Sequence, residues 1–187
     1  MTLKTTVWFY CKHGDNQRNT FIALARALIS QLLDHDLDLL PYIYAKMCYR
    51  GEPLLSSDEL AKELLETFLK SFVGIYIIVD GLDECNREEE KKILDFLLSI
   101  VKVTQNSQQN SMQCAFVSQS DAVTAKALRD LPTIEITAQH NHEDIAAFVF
   151  SRGADIRQKF RLTEKTVVDM NNLIMEKTGG EYHALVY

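Results

Sequence analysis

The 187-residue sequence predicts an α/β fold in which a parallel sheet of about four strands is flanked by helices. Three observations carry that prediction. Apolar runs of strand length occur at residues 5–11, 75–79 and 112–117; amphipathic segments with apolar residues at three- and four-residue steps lie between them; and Gly, Pro, Asn or Ser clusters mark the junctions. In sheets of this kind ligands gather beyond the carboxyl ends of the strands, so those ends are where chemistry is to be sought.

Thr5-Thr6-Val7-Trp8-Phe9-Tyr10-Cys11 is β-branched and aromatic almost throughout, which predicts a strand buried on both faces. The turn cluster Lys12-His13-Gly14-Asp15-Asn16 stops it. From Thr20 the stripe Phe21, Leu24, Ala25, Leu28, Ile29, Leu32 and Leu33 predicts an amphipathic helix. A short helix follows around Pro41 to Met47, broken by Arg50-Gly51-Glu52-Pro53. Ser56 with Glu59 reads as a capping box that opens a helix to about Phe72, closed by Gly74. Ile75 to Val79 is the second strand. Asn86 with Glu89 caps the next helix, striped by Ile93, Phe96, Leu97, Ile100 and Val101. Residues 104–111, rich in Gln, Asn and Ser, read as a loop. Met112 to Val117 is the third strand, Asp121 to Arg129 a short helix, and Pro132 to Thr137 a fourth, less apolar strand. Two capped helices, from about His142 and from Glu164 to Gly179-Gly180, close the sequence.

Composition narrows the setting. Apolar residues make up 47% and charged residues 25%, the balance of an ordinary globular domain. The net charge of −6 has the wrong sign for a surface that grips polyphosphate, so no nucleic-acid partner is expected. Cys11, Cys48, Cys85 and Cys114 are singletons without the spacing of a zinc knuckle or a disulfide framework, which suits free thiols in a reducing cytosol. No apolar run has the roughly 18 residues of a membrane span. A soluble, cytoplasmic protein without a membrane partner is the expectation.

The segment Ile75-Tyr76-Ile77-Ile78-Val79-Asp80-Gly81-Leu82-Asp83-Glu84 carries the chemistry. An apolar strand aims Asp80 at the rim of the sheet, where one carboxylate suits a Mg²⁺ that bridges nucleotide phosphates. Asp83 and Glu84 stand on the turn beyond, within reach of an attacking water. The same residues could simply supply negative charge before a helix N-terminus. His13 and Lys12 follow the first strand and read as a solvated turn; His140, His142 and His183 have no partner at metal spacing.

This acidic segment resembles the extended Walker B box of the NACHT family of STAND P-loop NTPases. Further pieces are similar to a fungal branch whose nucleotide-binding domains resemble the amino-terminal region of nephrocystin and often precede ankyrin or other repeats. They are Trp8-Phe9-Tyr10-Cys11-Lys12-His13-Gly14-Asp15 with Gln17-Arg18-Asn19-Thr20, Leu40-Pro41-Tyr42, Glu63-Leu64-Leu65-Glu66, Phe116-Val117-Ser118-Gln119 and Leu131-Pro132-Thr133-Ile134. The resemblance implies a partial P-loop NTPase core of the ASCE type over residues 5–140, with helices of a following lid over 141–187. It further implies Asp80 as a Mg²⁺ ligand, Glu84 with Asp83 as the residues that polarise the hydrolytic water, Ser118 at a sensor position, and a signal-transduction role for the parent protein. The wider family tends to place Ser-Arg where this sequence has Ser118-Gln119, and Gln119 brings no guanidinium to a phosphate.

What the sequence lacks weighs as much. A phosphate loop needs Gly-x-x-x-x-Gly-Lys-[Ser/Thr], and no Gly-Lys dipeptide occurs anywhere. By the resemblance that loop precedes the strand beginning at Thr5, and its own strand would lie between 112–117 and 133–137. Those two strands are then expected to pair across the gap or to leave an exposed apolar edge. An intact relative would hold Mg²⁺ with ATP or GTP, but no cofactor is expected here. Three readings stay open: a fragment of a NACHT signalling NTPase that does not bind nucleotide by itself; a free-standing interaction module that associates with itself or with full-length relatives; and a weak Mg²⁺-dependent phosphohydrolase using Asp80, Asp83 and Glu84.

Overall fold

The computed structural model describes residues 5–51, 54–105, 112–119, 122–136, 138–177 and 184–186. The chain forms two compact units, Met1–Thr133 with Leu185–Tyr187, and Ile134–Ala184.

Three parallel strands organise the first unit: β1 (Thr5–Tyr10), β2 (Ile75–Asp80) and β3 (Met112–Ser118), adjacent in that order. The registers run without a slip, from Thr5↔Ile75 to Tyr10↔Asp80 and from Ile75↔Met112 to Asp80↔Val117. The α/β class with a helix-flanked parallel sheet is therefore observed, with three parallel strands rather than about four. The segment expected to supply a fourth forms only β4 (Ile134–Ile136), which belongs to the second unit. Pro132, which has no N–H to donate to a ladder, lies before it.

Helices α1 (Phe21–His35), α3 (Asp58–Ser71) and α4 (Arg87–Gln105) bury one face of the sheet. The register sets Val7, Ile77 and Cys114 in one row and Phe9, Val79 and Phe116 in the next, all on the covered face. Each fully buried Leu, Ile or Phe there contributes about 1.5–3 kcal/mol relative to an exposed side chain. The opposite face carries Trp8, Tyr10, Tyr76 and Ile78, and these stay in part exposed, Trp8 at 47% and Tyr10 at 57%. The expectation that residues 5–11 are buried on both faces is thus corrected: α1, α3 and α4 cover one face, and β1 alternates between buried and exposed positions.

The helix starts show how the sequence sets the layout. Asn86 Oδ1 accepts the N–H groups of Glu88 and Glu89 at 3.1 and 3.0 Å, as its place as a cap predicts, and Thr20 Oγ1 caps α1 by accepting the Ala23 N–H at 3.2 Å. The cap of α3 is Ser57 and not Ser56: its Oγ accepts the Leu60 N–H at 3.3 Å, so Leu60 stands where a reciprocal capping box would need a carboxylate. Helix α2 (Leu40–Arg50) places Pro41 in its first turn and ends on Gly51, with φ of 67°. Helix α4 runs on through Gln105, into the stretch expected to be loop, and 106–111 lie outside the described residues.

After the short α5 (Ala122–Ala127), the second unit is built from β4, α6 (Ala138–Phe160) and α7 (Glu164–Lys177). Helix α6 starts four residues before His142, with no Gly or Pro in between to stop it. The two helices meet closely at Gly153, where an added Cβ would stand 2.5 Å from Asn171 Oδ1. Gly179 and Gly180 lie outside the described residues. A strand that the sequence reading missed, β5 (Ala184–Val186), pairs antiparallel with the end of β3 through Val117↔Val186 and Ser118↔Leu185. Among the described residues, no helix is long and apolar enough to cross a membrane.

Candidate functional site

The carboxyl ends of the three parallel strands converge on the acidic loop. Asp80 is the last residue of β2, half-buried, and its carbonyl accepts the Cys11 N–H at 2.8 Å. Gly81 then turns the chain with φ of 72°, a conformation that disfavours side chains. Its N–H donates to Val117 O at 2.9 Å, and a Cβ added there would lie 3.3 Å from Cys11 O. Leu82–Glu84 form a single 3₁₀ turn whose buried Leu82 anchors it to the core. The loop is thereby fixed to both neighbouring strands through its backbone.

That geometry settles where the predicted residues point their acceptors. Asp83 Oδ1 lies 3.2 Å from Ser118 Oγ and accepts the Gln119 N–H at 3.1 Å, so it fastens the end of β3 to the loop. The Ser118 hydroxyl also lies 2.8 Å from Gln119 O, and its one proton is shared between the two acceptors. Glu84 Oε2 accepts the His13 N–H at 2.7 Å, fastening the turn after β1. Asp80, Asp83, Glu84 and Ser118 are therefore gathered at one end of the sheet, with the two loop carboxylates bound to main-chain N–H groups. Among the described residues, none of these three acids forms an ion pair with Lys, Arg or His.

The turn opposite, residues 12–18, is organised by Asp15, which the sequence reading did not single out. Asp15 accepts the Gln17 N–H at 3.0 Å and the Arg18 Nε–H at 2.8 Å. The Arg18 side chain, followed by the Gln17 N–H, holds the Asp15 carboxyl below the usual carboxylate range. Glu89 was read as one half of a helix cap; its side chain instead accepts the Phe21 N–H at 2.6 Å and pairs with Lys92, which also binds Asp58 at 2.6 Å. Glu89 thus joins the starts of α1 and α4, beneath the acidic loop in sequence but serving the helices. His13 contributes only backbone, His142 is exposed on α6, and His183 lies outside the described residues.

Two thiols complete the neighbourhood. Cys11 directly follows β1, and the influence of Cys85, with burial, holds its thiol far above the ordinary thiol range. Cys114, on β3, has its thiol pushed up to about 12 by burial alone.

Asp80, at the end of β2, is the acid that could hold a Mg²⁺, which is commonly bound through one or two carboxylates. Among the described residues, no group of three His, Cys, Asp or Glu side chains is placed to hold a metal ion. The sequence has no Gly-Lys to cradle and neutralise a triphosphate, and no cation pairs with the acids.

A second feature lies along the outer edge of β3. Beyond its pairing with β5 at Val117 and Ser118, β3 has no strand partner on that edge from Met112 to Phe116 among the described residues. A mainly apolar cavity of about 650 Å³ runs beside it, walled by Tyr76, Ile78, Leu98, Val101, Leu131 and Pro132.

A helix-flanked parallel sheet with an acidic loop at the end of its central strand defines the class, an α/β domain. The chain belongs to the nephrocystin 3 N-terminal family, whose model matches residues 2–119. The matched span contains β1 to β3, the acidic loop and Ser118. Comparison with curated proteins and with solved structures gave no match.

Proposed function

We propose that the chain is the Walker B portion of a NACHT-type STAND NTPase domain, and that by itself it neither holds nor hydrolyses nucleotide to a useful degree. The family membership supports the first half, since residues 2–119 carry the acidic strand and loop. The engagement of Asp83 with Ser118 and Gln119 supports the second half: a carboxylate that fastens a strand end is not free to polarise water. Asp80 would be the Mg²⁺ ligand and Ser118 the sensor in a domain that also supplies a phosphate loop, and that domain would act in signal transduction. Without such a loop, the charge-assisted contacts that hold a triphosphate are absent. Titration of the chain with a fluorescent ATP or GTP analogue and Mg²⁺ should give no saturable signal in the micromolar range. Saturable micromolar binding abolished by Asp80→Ala would overturn this reading and restore the phosphohydrolase.

The open edge of β3 favours a second reading, an interaction module. An edge without a strand partner from Met112 to Phe116 among the described residues, beside an apolar cavity, matches the way an extended segment adds to a sheet. Sedimentation of the purified chain over a concentration series should then show self-association. A monomer at every concentration, with no complex on adding a full-length relative, would remove this reading.

A further inference from the structure

We propose that Gln31 of α1 is an autoinhibitory contact: its side-chain amide occupies the outer edge of β1 in place of a peptide group and closes that edge to a strand from a second copy of the chain. Among the described residues β1 pairs only with β2. Toward β2, the Thr5 N–H donates to Gly74 O at 3.1 Å and the Cys11 N–H to Asp80 O at 2.8 Å. Alternate residues of a parallel strand bond to the same neighbour, so the main-chain groups of Thr6, Trp8 and Tyr10 face the other way. Trp8 is the middle one. Its N–H donates to Gln31 Oε1 at 3.0 Å, and its carbonyl accepts from Gln31 Nε2 at 2.8 Å. These are the two bonds that a neighbouring strand would make there.

The amide is held in that position. Gln31 Nε2 also donates to Ala27 O at 3.2 Å, one turn back on α1, so the oxygen and both amide hydrogens are used. Reversing the amide would set its nitrogen against the Trp8 N–H, donor to donor, which leaves one orientation. Leu28 and Leu32, completely buried on either side of it, fix the helix that carries it. The other side of the sheet differs, since β3 has no strand partner from Met112 to Phe116 among the described residues. With β1 shut, copies that meet through a single edge stop at a pair; with both edges open, the sheet can extend into a filament. The proposal rests on the interaction-module reading for its mode of association, strand addition, and adds which edge is closed and by what.

The test compares the full chain with Gln31→Ala, in which α1 keeps a strong helix former. Hydrogen exchange in dilute solution should accelerate at the Trp8 N–H by about tenfold as its acceptor is lost. Sedimentation over a concentration series should show the variant forming larger species than the parent at equal concentration, with Thr6, Trp8 and Tyr10 regaining protection as it does. Gln31→Glu keeps the side-chain length but has no hydrogen for the Trp8 carbonyl. It should shift sedimentation in the same direction, and it decides the matter if Q31A does not fold. A parent that is monomeric throughout removes the interaction-module reading and leaves this comparison standing. Unchanged exchange at Trp8 in Q31A, unchanged sedimentation of the variants, or new association protected elsewhere than on β1 would overturn the proposal.

Discussion

Phe21→Ala should destabilise the first unit by about 3–5 kcal/mol, the largest loss expected of any single substitution considered. Phe21 opens α1, is completely buried, and packs its ring edge-on against Phe96 of α4 at 5.1 Å between centroids. Lys62 of α3 lies over the same ring at 5.7 Å, so one side chain joins three helices. Its N–H is satisfied by Glu89 through a contact that the substitution leaves in place, so the loss isolates the ring and the cavity left behind. Against a typical total of about 5–15 kcal/mol, most of the folded margin is at stake. Urea denaturation followed by circular dichroism measures it. A loss under about 1 kcal/mol would mean that α1, α3 and α4 close over the gap, contrary to the packing described.

Phe21 also shows what the sequence makes visible. Its place in a three- and four-residue stripe announces a buried helix face, and the same logic places the stripe of α4 and the strand ending at Asp80. Periodicity is local, so it finds elements and their buried sides. It does not say which side of a sheet the helices choose, which is why Trp8 and Tyr10 could not be told from Val7 and Phe9 as open positions. Nor does it resolve Ser56 from Ser57, because both are good caps and only the side-chain geometry toward Leu60 decides. The acidic loop was legible because an apolar run into Asp-Gly is a local signal. The bonds that define its condition, Asp83 to Ser118 and Glu84 to His13, span 35 and 71 residues and leave no trace in either segment alone. The pairing of β5 with β3 is long-range in the same way.

Asp83→Ala should cost about 1–3 kcal/mol, whereas Asp83→Asn should cost much less, and the contrast separates a structural carboxylate from a chemical one. In the structure a single oxygen, Oδ1, meets both the Ser118 hydroxyl and the Gln119 N–H. An amide oxygen in the same place accepts both, so Asn keeps the end of β3 fastened to the loop and gives up only the charge assistance. Alanine removes the acceptor and leaves the nearly buried Ser118, 3% exposed, beside a void where its partner stood. Thermal denaturation of the three chains, with hydrogen exchange read at Gln119, measures both effects. Exchange at Gln119 should accelerate in the Ala chain and stay near the parent rate in the Asn chain. Equal and large losses for both would show that the negative charge itself is what the site requires, and Asp83 would then return as a candidate for polarising water. The expected split, with any nucleotide signal unchanged in the Asn chain, places the residue with the architecture of the loop and leaves Asp80 as the one of the three loop acids whose carboxylate has no hydrogen-bond or ion-pair partner among the described residues.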